Sequence, residues 1–295
     1  MKYKSAAAFR HALEDRLRRQ AVASATPLAR LRKMVAFERF LARLVSAQPD
    51  VWVLKGGLAL QLRLREHART TQDMDLLFRQ PSPHGEIHAA LVSAALRDLK
   101  DWFSFEVARP ARDDYLRFPV QSLLDGRLFE TFHIDVGVGD PLIEPPDTLT
   151  APSLLEFAGI ASTPIPAYPL SQQIAEKVHA LTRRYASGSS SRVRDWMDIL
   201  LMAQWQGLHA EKLVQALQAT FVVRGTHSIP TQMPSPPTSW SRPFRRLSEQ
   251  TGLEYASLED ADRAMRRFLD PVLSGQAAGQ WNPIRWQWEK PGATP

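Results

Sequence analysis

The sequence predicts an α+β fold: a mixed sheet with flanking helices, followed by a mainly α-helical C-terminal domain. Three observations predict it. Strand-like runs crowd residues 51–138 at spacings too short for pure βαβ crossovers. A proline-rich segment then covers 141–170, and beyond it apolar residues recur at helical spacing. An N-terminal domain of helices plus a sheet core is therefore expected at 1–160, and a helical domain at 161–295.

Taken in order, residues 6–22 and 27–47 carry apolar positions three and four apart and read as two amphipathic helices. In the second, Met34, Phe37, Phe40, Leu41 and Leu44 form one stripe. "VWVLKGG" (51–57) is a buried strand stopped by glycines, and "LALQLRLRE" (58–66) a short helix. "QDMDLLF" (72–78) alternates in and out like a second strand. "PHGEIHAALVSAALRDL" (83–99) is a helix with Pro83 near its start. "WFSFEVA" (102–108), "YLRFPVQSLL" (115–124) and "ETFHIDVGV" (130–138) are three further strands, with "DGR" as a turn between the last two.

"PLIEPPDTLTAPS" and "TPIPAYPLS" then read as a connecting segment that holds the domain boundary. "SQQIAEKVHALTRRYA" (171–186) starts with a serine cap, "SGSSS" (187–191) is a flexible stretch, and "RVRDWMDILLMAQW" (192–205) is the next helix. A second proline-rich loop (228–243), a helix over 257–275 and an aromatic tail, "WNPIRWQWEK" (281–290), follow. No internal repeat is visible.

The 295 residues contain no cysteine, which excludes a disulfide framework, a thiolate zinc site and a cysteine nucleophile. The N-terminal segment lacks the uninterrupted apolar core of a secretory signal, and no window is apolar enough to span a membrane. A cytoplasmic protein is expected, with a monomer favoured. The formal net charge is +6, and a basic balance of this kind favours a polyanionic partner. The same arginines equally suit solvated helix faces.

The chemistry is carried by carboxylates. Asp73 and Asp75 stand two apart on a predicted strand and so project from the same side. Two anions this close repel unless a cation or proton lies between them, and Mg²⁺ (or Mn²⁺) supplies that compensation with oxygen ligands. A lone D-x-D also suits an exposed strand end. Gly56 and Gly57 end the preceding strand and open a helix, where glycine lets backbone N–H groups approach a phosphate. Asp135 lies in another strand, between Ile134 and Val136. Beside the first two aspartates it would complete a set of three carboxylates, enough for two divalent ions; alone it could cap a turn.

This arrangement resembles the polymerase-β-like nucleotidyltransferase superfamily, and more closely the AbiEii/AbiGii (MenT-like) toxin group. The first block is Lys55, Gly56, Gly57, Arg69, Thr70 or Thr71, Asp73 and Asp75. The second, "AEKVHALTRR…SRVRDWMDI", supplies Glu176, Lys177, Arg194, Asp195 and Asp198, and "WNPIRWQW" is similar to the group's C-terminal end.

The resemblance implies a metal-dependent nucleotidyltransferase that moves NMP from NTP to an acceptor. Asp73, Asp75 and Asp135 would be metal ligands. Lys55, Gly56, Gly57, Arg69, Thr71 and Arg194 would contact nucleotide and phosphate. Lys177 and Asp195 join Asp73 and Asp75 as catalytic residues, supported by Glu176 and Asp198. Read from the residues alone, Lys177 and Asp195 also suit an interhelical salt bridge, and His133 and His179 suit packing or surface roles. The family implies a toxin of a type IV-like, phage-defence toxin–antitoxin system, with an antitoxin as partner. The basic charge points to an RNA acceptor, tRNA in particular. Nucleotidylation of a protein or small molecule, and a catalytically inactive nucleic-acid-binding module, are the alternatives.

Overall fold

A computed structural model describes residues 2–80, 82–112, 116–183, 192–253, 255 and 257–290; the flexible stretch expected at 187–191 lies outside the described residues. The chain divides into two units. One comprises Met1–Leu62, Thr70–Gly139 and Pro146–Ala167; the other comprises Arg63–Arg69, Asp140–Pro145 and Tyr168–Pro295.

The first unit is built on a seven-stranded mixed sheet. Its elements in chain order are α1 (Ala6–Ala23), α2 (Leu28–Ala47), β1 (Trp52–Lys55), α3 (Gly56–Leu64), β2 (Met74–Phe78), α4 (His84–Ala95), β3 (Phe103–Val107), β4 (Arg117–Leu124), β5 (Arg127–Val138), β6 (Asp147–Thr150) and β7 (Pro164–Ala167). The strand order is β3-β4-β5-β2-β1-β7-β6. β2 runs antiparallel to β1 and parallel to β5, and β4 is antiparallel to β5. The "DGR" turn forms as expected, with Asp125 and Gly126 at φ of 56° and 66°, the left-handed pair a tight hairpin requires.

β6 and β7 carry no strand signature in the sequence, because prolines disguise them within the expected connecting segment. Pro164 and Pro166 take alternate positions of β7, so both missing N–H groups fall on one side of the strand, while Ile165 and Ala167 are buried. β7 runs parallel to β1 and antiparallel to β6.

Helix α2 is buried through most of the stretch from Leu31 to Leu44, well beyond the single stripe its periodicity suggested. Phe37 and Phe40 meet Phe132 of β5 edge-on, with centroids 5.0 and 5.9 Å apart. Glu38, Arg39 and Arg43 are buried with them. The cations are matched by Asp101: Arg43 grips its two oxygens at 3.0 and 2.7 Å, and Arg39 Nε donates to it at 2.7 Å. Burial opposes ionisation of Asp101, but the two guanidiniums outweigh it and hold its carboxyl below the usual range. Glu38 has only Arg39, 3.6 Å away, and burial, reinforced by Asp101, outweighs that cation and pushes its carboxyl up to about 7.

The second unit contains α5 (Leu170–Thr182), α6 (Val193–Trp205), β8 (Leu208–His209), α7 (Ala210–Arg224), α8 (Ser241–Thr251), α9 (Leu258–Leu273), β9 (Gln280–Asn282) and β10 (Gln287–Glu289). α7 and α8 are additions to what the sequence suggested. The aromatic tail is a hairpin, β9–β10, extended by β8 into a three-stranded sheet. Its three indoles each donate to a helix carbonyl: Trp281 to Ala203 at 2.7 Å, Trp286 to Ala264 at 3.0 Å and Trp288 to Phe268 at 2.8 Å. Among the described residues no helix is long and apolar enough to cross a membrane.

Candidate active site

In the sheet unit, one row of charged residues crosses four strands. Lys55 of β1 is in register with Asp75 of β2, Asp75 with Asp135 of β5, and Asp135 with Arg117 of β4. Residues in register share a face, so this is a single charged line on the side opposite Met74, Leu76 and Ile134, all of them buried. Asp73 lies immediately before β2 instead of within it, and still reaches the same place.

Arg117 joins the acids. Its Nη1 donates to Asp135 Oδ2 at 2.6 Å and its Nη2 lies 3.0 Å from Asp73 Oδ2. His133 Nδ1 stands 3.4 Å from Asp73 Oδ1, so this histidine, expected to pack or face solvent, belongs to the cluster. Burial, reinforced by Asp75 and Asp73 against the pull of Arg117 and His133, pushes Asp135 up to about 6. Its Oδ1 is buried and makes no hydrogen bond to the described residues. Among the described residues no group of three or more acidic or histidine side chains is arranged as a ready-made metal cage. The guanidinium holds the oxygens of Asp73 and Asp135 instead.

Gly56 opens α3 at φ 65°, a left-handed conformation that L-residues avoid. A Cβ there would sit 2.5 Å from Asp75 Cγ and 2.8 Å from Asp75 Cβ. The carboxylate of Asp75 is thus seated against the first Cα of the helix, which only glycine permits. Gly57 is buried in the first turn of α3, and Lys55 is half-buried at the end of β1. Thr71 is buried, and its hydroxyl donates to the carbonyl of Asp73 at 3.2 Å, fixing the approach to β2.

The helical unit carries a second cluster. Lys177 Nζ on α5 lies 2.9 Å from Asp195 Oδ1 and 2.7 Å from Asp198 Oδ2, both on α6. Arg69 grips both oxygens of Asp198 at 2.9 Å, and Arg192 reaches Asp195 at 3.1 Å. The interhelical salt bridge is therefore present, with three cations around two carboxylates. Burial of Lys177 opposes its charge, but Asp195 and Asp198 outweigh burial and keep the ammonium protonated beyond its ordinary range. Asp195 moves the opposite way: Lys177 and Arg192 overcome its burial and hold it low.

Arg194 is exposed, and Arg192 is the arginine that pairs with Asp195. Glu176 pairs with Arg224, which also holds Asp140. His179 packs against Phe221 and bonds Thr226, in keeping with a packing role.

Sequence reasoning missed Arg117, His133 and Arg192. Arg117 and His133 occupy polar positions that alternate with buried Phe118, Phe132 and Ile134. That alternation was readable, but the register that aims both residues at Asp73 was not.

Residues 39–290 match the family described as "Nucleotidyl transferase AbiEii toxin, Type IV TA system". No curated protein sequence matches the chain. Among solved structures the fold is similar to MenT4, a nucleotidyltransferase toxin of Mycobacterium tuberculosis H37Rv. That likeness has 16% identity and a TM-score of 0.55, and covers 89% of this chain and 98% of MenT4. JHP933 from Helicobacter pylori is a more remote neighbour, with 13% identity, a TM-score of 0.44, and 82% and 94% of the two chains covered.

Proposed function

The chain belongs to the AbiEii nucleotidyl transferase toxin family, and from that premise we propose that it transfers a nucleoside monophosphate from an NTP to an RNA acceptor, with tRNA favoured, and that an antitoxin restrains it. The observation that carries the reading is the Asp75–Asp135 row, with Asp73 beside it and the Gly56 helix start against it. The +6 charge supports a polyanionic acceptor. The same reading gives the transfer a phage-defence setting.

In the reaction, an acceptor hydroxyl oxygen bonds to the α-phosphorus. The bond from that phosphorus to the β-phosphate bridging oxygen breaks, pyrophosphate leaves, and the hydroxyl proton passes to a base. Asp73, Asp75 and Asp135 offer hard oxygen donors, and the unbonded, buried Oδ1 of Asp135 leaves a donor in hand, so these residues fit Mg²⁺ or Mn²⁺. Such a metal would supply charge neutralisation on the phosphates and the leaving oxygen. Gly56 and Gly57 at the start of α3 bring backbone N–H groups to a phosphate, with Lys55 immediately before them, and Thr71 is assigned to the same role. Lys177 and Asp195 are assigned as catalytic: the ammonium for anionic charge, and the carboxylate, ionised at neutral pH, as base or positioning group. Arg69 and Asp198 hold that cluster and Glu176 is engaged by Arg224, while Arg194, being exposed, suits contact with phosphate from solvent.

The test is transfer of label from each of the four α-³²P-NTPs to total RNA and to protein, with wild type, Asp73→Asn and Asp135→Asn. Label on RNA in wild type, lower by on the order of 10² or more in either variant, is expected. Label on protein alone would overturn the RNA reading, and toxicity unchanged in Asp73→Asn would overturn the enzymatic one.

A further inference from the structure

Arg117 sits among the three carboxylates with its fork spread over two of them. Nη1 takes Asp135 Oδ2 and Nη2 takes Asp73 Oδ2. The guanidinium thus takes one oxygen of each of two carboxylates offered to a cation, and leaves Asp135 Oδ1 unbonded. Counting the row with Asp73, three carboxylates face Arg117 and Lys55, which leaves one net negative charge. A divalent ion added to that set would reverse its sign and lie in contact with a guanidinium, so the two cations compete. Arg117 is also able to leave. Its side chain is 31% exposed, and it stands at the first residue of β4, so a rotamer change carries it off the acids without disturbing the ladder. The Gly56–Asp75 contact is different, because it is backbone against side chain and has nowhere to go.

Resting on the nucleotidyltransferase reading above, we propose that Arg117 is a displaceable counter-ion. It holds Asp73 and Asp135 together while no metal is present, yields them to a divalent cation, and then turns its fork to the polyphosphate of the nucleotide. A guanidinium fits that second role because its planar donors match phosphate as well as carboxylate oxygens. Metal and nucleotide would thereby bind cooperatively: the first frees the group that receives the second.

The experiment measures Mn²⁺ binding to the full chain by electron paramagnetic resonance of free Mn²⁺, without nucleotide, for wild type, Arg117→Gln, Arg117→Lys and Asp73→Asn. Removing the competitor is expected to tighten Mn²⁺ roughly tenfold in Arg117→Gln, the ratio appropriate to one charged hydrogen-bonding partner, and less in Arg117→Lys, which keeps a charge but not the fork. At saturating Mn²⁺, an α,β-methylene NTP is expected to bind Arg117→Gln roughly tenfold more weakly than wild type. Thermal melts identify a variant that does not fold; if Arg117→Gln fails, Arg117→Lys carries the same comparison. Unchanged or weaker Mn²⁺ binding in both Arg117 variants, with binding abolished in Asp73→Asn, overturns the counter-ion role and leaves the metal assignment standing. Unchanged nucleotide affinity overturns the transfer of the fork to phosphate. No Mn²⁺ binding by any form overturns this proposal together with the metal assignment.

Discussion

Replacing Gly56 with alanine separates two costs that the structure combines at one position. The first is conformational: at φ 65° an L-residue loses about 1–2 kcal/mol relative to glycine. The second is steric, since the new methyl would lie 2.5 Å from Asp75 Cγ, far inside van der Waals contact. Forced overpacking of this kind typically costs about 1–3 kcal/mol more. Gly126 supplies the control, because its φ is nearly the same, 66°, and a methyl added there would meet nothing within 4 Å. Gly126→Ala should therefore lose only the conformational part and retain transfer activity. Gly56→Ala should lose about 2–5 kcal/mol in all. Because relief requires the Asp75 carboxylate to move, its activity should fall about 10²-fold, as for a displacement of about 1 Å in a reacting group. Urea unfolding followed by circular dichroism gives the stabilities, and label transfer gives the rates. Equal stability losses in the two variants, or full activity in Gly56→Ala, would refute the close seating of Asp75 on the helix start.

Asp101→Asn should destabilise the sheet unit by about 3–5 kcal/mol, because Arg39 and Arg43 would keep their buried charges without a counter-charge; a loss below about 1 kcal/mol in urea unfolding would contradict this. Since the Asp101 carboxyl is held below its ordinary value of 3.8, its contribution is present above that pH and is lost as pH falls below it. Glu38 has the opposite sign. Burial raises it from 4.5 to about 7, so the folded state binds its proton more tightly; the associated stability is full below pH 4.5 and declines as pH rises through 7. Glu38→Gln should match wild type near pH 4 and exceed it by about 3 kcal/mol at pH 8, and a pH-independent difference would contradict the assignment.

Local pattern made the main strands and the carboxylate positions legible in the sequence. Alternation around Asp75 and Asp135 fixes their faces, and a paired glycine marks a strand-to-helix corner. What stayed hidden depends on neighbours. Arg117 has no local signature; it becomes part of the cluster only because β4 pairs with β5 in one register. The charges on α2 look like a solvated face until Asp101, 58 residues beyond Arg43, is brought against them. β7 is masked because proline is a strand breaker on average, yet alternate prolines leave the N–H groups of one edge and the carbonyls of both, and the strand still pairs with β1 and β6. Arg194 attracts attention through its place beside Asp195, but the helix turns it outward and gives the contact to Arg192.

The indole-pinned hairpin of the helical unit also determines what light can report about this protein. The chain has eight tryptophans, and only Trp52 and Trp102 belong to the sheet unit. Intrinsic emission is therefore dominated by the helical unit, where Trp281, Trp286 and Trp288 make up half of the indoles. A fluorescence melt would chiefly follow the hairpin leaving α6 and α9, and it could miss the loss of the carboxylate row altogether. Trp52 is the sheet unit's own dye. It packs on Phe78 with centroids 4.6 Å apart, at the opposite end of the β1–β2 ladder from Asp75. A variant retaining Trp52 among otherwise silent replacements would turn that ladder into a spectroscopic gauge of the carboxylate row.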